Sequence, residues 1–197
     1  MMTWRGISSV VVILLVAVME SGCESRGVGG SRSTEFIRTS CSTTSYPKLC
    51  YSSLSTHATA IQQNPKLLAN AALSVSLHTA LSTSADMLKL SHAAGMTPRE
   101  VGAMRDCVEE LADSVDQLRK SMAEMNQIKA SNFPSIMSDV QTWVSAALTD
   151  ESTCMDGFAG KLMAGGVKTA VRGKIENVAH MTSNALSLIN AYATLRA

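Results

Sequence analysis

TPREVGAMRDCVEELADSVDQLRKSMAEM, residues 97–125, decides how the rest of the chain is read. It opens with Thr97-Pro98-Arg99-Glu100. A threonine cap with glutamate three residues later forms a capping box, and proline suits the first helical position. Val108, Leu111, Val115, Leu118, Met122 and Met125 then follow alternating spacings of three and four. That period is the seam of a helix packed at a shallow angle against neighbours.

The same period runs outward in both directions. On the N-terminal side, Asn64-Pro65 reads as a cap followed by proline at the first turn, and Leu73, Leu77, Leu81 and Leu88 supply an apolar seam that ends near Gly95. On the C-terminal side, Ser131-Asn132-Phe133-Pro134 breaks the chain. Val140, Val144, Ala147, Cys154, Phe158 and Leu162 then form the next seam, with Glu151 at one of its positions. One helix from about Ile136 to Leu162 is the preferred reading because register is kept throughout. The other is a break near Asp150 and a restart, because Thr153-x-x-Asp156 is also a capping box. Gly165-Gly166 breaks the chain again, and Val178, Met181, Ala185, Leu188, Tyr192 and Leu195 make a last seam. Four long helices with short connections predict an all-α, up-down-up-down four-helix bundle over residues 61–197.

Composition agrees with helices. The chain has 197 residues, 46% hydrophobic and only 4% aromatic. An apolar fraction carried by Ala, Leu, Val and Met favours helix over strand. The net charge of +1 and the lack of a basic run with interleaved aromatics argue against nucleic-acid binding.

Residues 1–25 read as a secretory signal peptide. Arg5 supplies the positive charge, and ISSVVVILLVAVM is an apolar stretch shorter than the roughly 20 residues a membrane-spanning helix needs. Residues 26–33 read as a flexible N-terminus. An acylated Cys23 is disfavoured because Glu20 stands where that motif wants an aliphatic residue. The expectation is a secreted chain, with no membrane attachment after signal cleavage.

Secretion changes how the cysteines are read. Of five, Cys23 lies in or beside the removed segment, leaving Cys41, Cys50, Cys107 and Cys154. An even set in an oxidising compartment reads as disulfides. Four cysteines allow three pairings, of which adjacent pairing is the simplest. SCSTTSYPKLCYSSLS, residues 40–55, holds the first two around Tyr46-Pro47. Eight residues between cysteines are too many for a zinc knuckle or a thioredoxin-like pair, so a structural clip is favoured.

Catalytic and metal signatures are missing. His57, His78, His92 and His180 are scattered, with no pair of ligands projecting from one helix. No nucleophile elbow or phosphate-binding loop occurs. No cofactor is expected. One polar face stands out. Glu109, Asp113 and Asp116, spaced at four and three, lie opposite Val108, Leu111 and Val115. Thr149, Thr153 and Asp156 form a polar strip on the following helix. An open helix surface offers no pocket for acid–base chemistry, so these strips suit protein binding better than catalysis.

Four stretches taken together resemble the plant invertase/pectin methylesterase inhibitor family. They are SCSTTSYPKLCYSSLS, DCVEELADSVDQL around Cys107, SDVQTWVSAALTDESTCMDGF around Cys154, and a late NALSLINAY. The resemblance covers about Thr34 to Leu195. It implies a bundle preceded by a disulfide-clipped N-terminal helical hairpin, here residues 34–60, with disulfides Cys41–Cys50 and Cys107–Cys154. It implies an enzyme inhibitor and not an enzyme. The matching partner-binding positions are Glu109, Asp113, Asp116, Thr153 and Asp156. The TWVSAALTDESTC run with Trp143 is similar to the inhibitors of pectin methylesterase, and no Pro-Lys-Phe motif of some invertase inhibitors occurs. The expectation is a stand-alone, non-covalent inhibitor covering the cleft of pectin methylesterase and limiting pectin demethylation. The alternative partner is cell-wall or vacuolar acid invertase. A third reading is a secreted carrier with a ligand cavity inside a methionine-rich bundle.

Overall fold

A computed structural model describes residues 26–159 and 166–196. In chain order its elements are α1 (Arg26–Cys41), α2 (Pro47–Leu54), a 3-10 turn (Ser55–His57), α3 (Ala58–Ile61), α4 (Pro65–Ser91), α5 (Pro98–Met125), a second 3-10 turn (Ala130–Asn132), α6 (Phe133–Gly157) and α7 (Gly166–Thr194). No strand occurs among the described residues. α4 packs on α5, α5 on α6, α6 on α7, and α7 closes the ring on α4. This is the four-helix bundle that the seams predict. The signal segment, Cys23, Leu162 and Gly165 lie outside the described residues.

The helix starts follow the local chemistry. The Asn64 side chain accepts hydrogen bonds from the backbone N–H of Lys66 and Leu67, with Pro65 at the first turn. At Thr97 both halves of the capping box form. Glu100 N–H donates to the threonine hydroxyl, and Thr97 N–H donates to the Glu100 carboxylate at 2.8 Å. Those bonds hold the Glu100 carboxyl below its usual range. Gly95 supplies the left-handed conformation between α4 and α5, at φ +88°. α6 runs unbroken through Asp150. Thr153 is therefore interior rather than a cap, and its hydroxyl donates to the Thr149 carbonyl.

The core seams differ from the sequence reading in an instructive way. On α4 the buried stripe is Ala69, Leu73, Ser76, Ala80, Thr83 and Met87, which shares Leu73 with the leucine series and then runs one residue ahead of it. Leu81 and Leu88 are exposed, at 38% and 51%. On α5 the most enclosed positions include Cys107, Leu111, Ser114, Leu118, Ser121 and Met125, while Val108 and Met122 only flank the core. On α7 they are Val171, Ile175, Val178, Thr182, Ala185, Ile189 and Tyr192, and Leu195 is exposed. Each set keeps the alternating spacing of a bundle seam. Small and hydroxyl side chains occupy part of each of these seams because four helices converge there, and a closely packed interior leaves room for little more.

The N-terminal hairpin is built onto this frame. α1 extends back to Arg26, through residues 26–33 that the sequence reads as flexible. Its C-terminal half is anchored, with Ile37 and Cys41 fully enclosed, and the helix propagates backward from that anchor despite its glycines. The Thr34 hydroxyl donates to the Gly30 carbonyl at 2.7 Å. Cys41 and Cys50 are bonded, with Cα atoms 5.6 Å apart. Ile37, Leu54, Ala58 and Ile61 pack with Leu68 and Ala72 of α4 and Ala185 and Leu188 of α7 in a second apolar cluster. The turn is clamped as well. The Asn184 side-chain amide donates to the Tyr46 carbonyl and its oxygen accepts from the Tyr46 N–H, both at 3.0 Å. The Tyr46 ring stacks on His180 with centroids 3.6 Å apart.

Candidate functional site: the α5–α6 face

The Cys107–Cys154 disulfide joins α5 to α6 with Cα atoms 4.3 Å apart. Contacts that run later on α5 and earlier on α6 show the two helices to be antiparallel. Ser114 reaches Glu151, Gln117 reaches Asp150, and the Lys120 ammonium sits 4.7 Å from the centre of the Trp143 ring. The pair therefore offers a broad face whose geometry is fixed covalently at one end and by packing along its length.

All five residues singled out in the sequence are exposed. Glu109, Asp113 and Asp116 stand on α5, and Thr153 and Asp156 on α6. Asp116 pairs with Arg119 at 3.0 Å, a surface pair that contributes little to stability. Between the two strips lie two carboxylates that sequence reasoning missed. Glu110 and Asp150 are half-buried at the groove where α5 meets α6. The amide of Gln117 donates to Asp150 at 3.4 Å. Burial, and then the charges of Asp150, Asp113, Asp106 and Glu109, raise the Glu110 carboxyl above its usual range. Burial, and then the charge of Asp113, raise Asp150. The signal for both was present but indirect. Glu110 is three residues after Cys107 and Asp150 four before Cys154, so one disulfide places them near each other.

Beneath this face the structure holds a buried carboxyl. Glu151 is fully enclosed at a seam position of α6. One of its oxygens, Oε1, accepts from the Ser114 hydroxyl of α5 at 2.8 Å and from the Thr182 hydroxyl of α7 at 2.9 Å. Burial pushes the group up to about 7. Helical side chains lean toward their own N-terminus, so Glu151 reaches back from the turn of Cys154 to meet Ser114, two turns beyond Cys107.

The remaining polar features do not converge. Among the described residues no group of three or more His, Cys, Asp or Glu side chains could hold a metal ion. Likewise no helix there is long and apolar enough to cross a membrane. Between α4 and α7 an open groove of about 530 Å³ is lined by His78, Ser82, Thr83, Asp86, Lys174 and Asn177. The Lys174–Asp86 ion pair lies within it and holds Asp86 below the usual carboxylate range. It is an open polar surface, unlike the enclosed apolar cavity a carrier would use.

Known proteins resemble this chain in sequence and in fold. Residues 35–188 match the family model of the plant invertase/pectin methylesterase inhibitor. The chain is 48% identical over 162 residues to a "21 kDa protein" of Daucus carota, covering 81% of this chain and 84% of that one. It is 43% identical over 195 residues to "Pectinesterase inhibitor 9" of Arabidopsis thaliana, covering 94% and 93%. Among solved structures, a mutant form of a pectin methylesterase inhibitor from Arabidopsis superposes with a TM-score of 0.65 at 23% identity, covering 78% of this chain and 95% of that one. At that identity the superposition shows the shared helical fold.

Proposed function

This chain belongs to the plant invertase/pectin methylesterase inhibitor family, a family of inhibitors and not of enzymes, and from that premise we propose that it inhibits plant pectin methylesterase. In this reading it is secreted to the apoplast or cell wall. There it covers the enzyme's active-site cleft in a non-covalent complex and limits pectin demethylation. The observation that carries the reading is the α5–α6 face. Glu109, Asp113, Asp116, Thr153 and Asp156 are all exposed on two helices tied by Cys107–Cys154. A rigid face loses little conformational freedom on docking, and fixed carboxylates select a partner surface of opposite charge. Relatives that cover nearly the whole chain carry the name pectinesterase inhibitor, which supports this target over acid invertase.

Release of methanol from pectin by plant pectin methylesterases, with and without the folded chain, tests this. Inhibition that is reversed on dilution is expected. Full demethylation by several isoforms in the presence of the chain, together with loss of sucrose hydrolysis by an acid invertase in a parallel assay, would transfer the reading to invertase.

A further inference from the structure

Glu151 lies inside the bundle and takes no part in the exposed face. Its neighbours can be named from every side. From α5 the facing group is the Ser114 hydroxyl, with Glu110 and Asp113 further out against Asp150. From α7 it is the Thr182 hydroxyl; His180, two residues earlier on that helix, pairs with Glu176 at 4.0 Å. Along α6 itself it is Asp150, whose negative charge opposes ionisation of its neighbour. No lysine, arginine or histidine is among the described groups acting on Glu151. Oε1 is satisfied twice, while Oε2 is buried without a partner among the described residues. A buried, unpaired carboxylate oxygen is far more costly than a buried hydroxyl on a neutral acid.

We propose that Glu151 is a proton-binding site built into the bundle core: as a neutral acid it closes a polar layer joining α5, α6 and α7, and release of its proton to solvent loosens that layer. The three hydrogen-bonding residues come from three helices and all occupy seam positions, where a polar residue fixes register between helices. In acid the proton sits on Oε2 and Oε1 keeps both hydroxyl bonds. At higher pH the closed layer holds a charge with no cation among the described residues to meet it, and this favours the layer's opening.

The sign follows from linkage. The folded carboxyl holds its proton more tightly than the unfolded one, whose ordinary value is 4.5. Stability from this group is therefore fully present below about 4.5, falls as pH rises, and levels off above about 7. Across that window the folding equilibrium constant should fall on the order of a hundredfold through Glu151 alone. Glu110 and Asp150 shift in the same direction, so the contribution of Glu151 must be isolated.

Urea unfolding of the wild-type chain and of Glu151→Gln, measured from pH 4.5 to 8, does this. Gln keeps an acceptor for Ser114 and Thr182 and cannot ionise. The wild type should lose on the order of a hundredfold in folding constant relative to the variant over this range. Parallel curves for the two chains would overturn the proposal. Because Glu151→Gln could fail to fold, the carboxyl carbon of Glu151 is also followed by NMR in the wild-type chain. A midpoint far above those of the exposed glutamates supports the proposal, and a midpoint alongside theirs overturns it.

Discussion

The α5–α6 pair has two acidic sides, and they stand in different surroundings. Outside, Glu109, Asp113 and Asp116 face water, where charge costs little and can be offered to a partner. Inside, Glu151 is held by two hydroxyls, with no counter-charge among the described residues. The two sides belong to the same pair of helices, joined by one disulfide. The difference teaches that enclosure, rather than residue type, sets how a carboxylate in this molecule is solvated and partnered. Inner substitutions should act on stability, and outer ones on binding.

The largest effect is expected from the tie itself. Cys107–Cys154 spans 47 residues and Cys41–Cys50 only 9. Loop entropy alone makes the first the more stabilising, at about 4 kcal/mol against about 3 for the second. Cys107→Ala with Cys154→Ala should therefore lower the thermal midpoint of the whole bundle. Loss of the hairpin bridge should loosen residues near Ile37 and Leu54 first, as measured by amide exchange. Equal and local effects from both would break the distinction.

A smaller effect sharpens the contrast between faces. Ala80 is fully enclosed on α4 and Leu81, beside it, is exposed. Ala80→Leu overfills the core and should destabilise by about 1–3 kcal/mol in denaturant unfolding. Leu81→Ser should change stability by no more than about 0.5 kcal/mol. The reverse ranking would mean that the leucine series is the true seam.

That series shows how far the sequence could be read. Caps at Asn64 and Thr97 were legible because the chemistry is local, and the structure forms both. The number of long helices and their ring order followed from period and short connections. The register of each seam did not. Large apolar residues drew the reading to Leu81, Leu88 and Leu195, whereas Ser76, Ala80, Ser114 and Thr182 lie inside. Which small residue is enclosed depends on the approach of neighbouring helices, and no single helix encodes that approach. The hairpin's seat was hidden for the same reason. Asn184 meets the Tyr46 backbone across 138 residues, and nothing near either one announces the other. On the candidate face, the exposed strips were visible as spacing along one helix. Glu110 and Asp150 matter only because two helices bring them together.

The most direct test of the central assignment is the affinity of the chain for pectin methylesterase after charge reversal at the outer face. Asp113→Lys with Asp116→Lys removes two exposed carboxylates, one of them paired with the exposed Arg119. The thermal midpoint should stay near that of the wild type, because surface changes of this kind rarely exceed about 0.5 kcal/mol. The dissociation constant, measured by calorimetry or surface binding, should rise at least about tenfold. Unchanged affinity in a folded variant would contradict the claim that this face meets the enzyme.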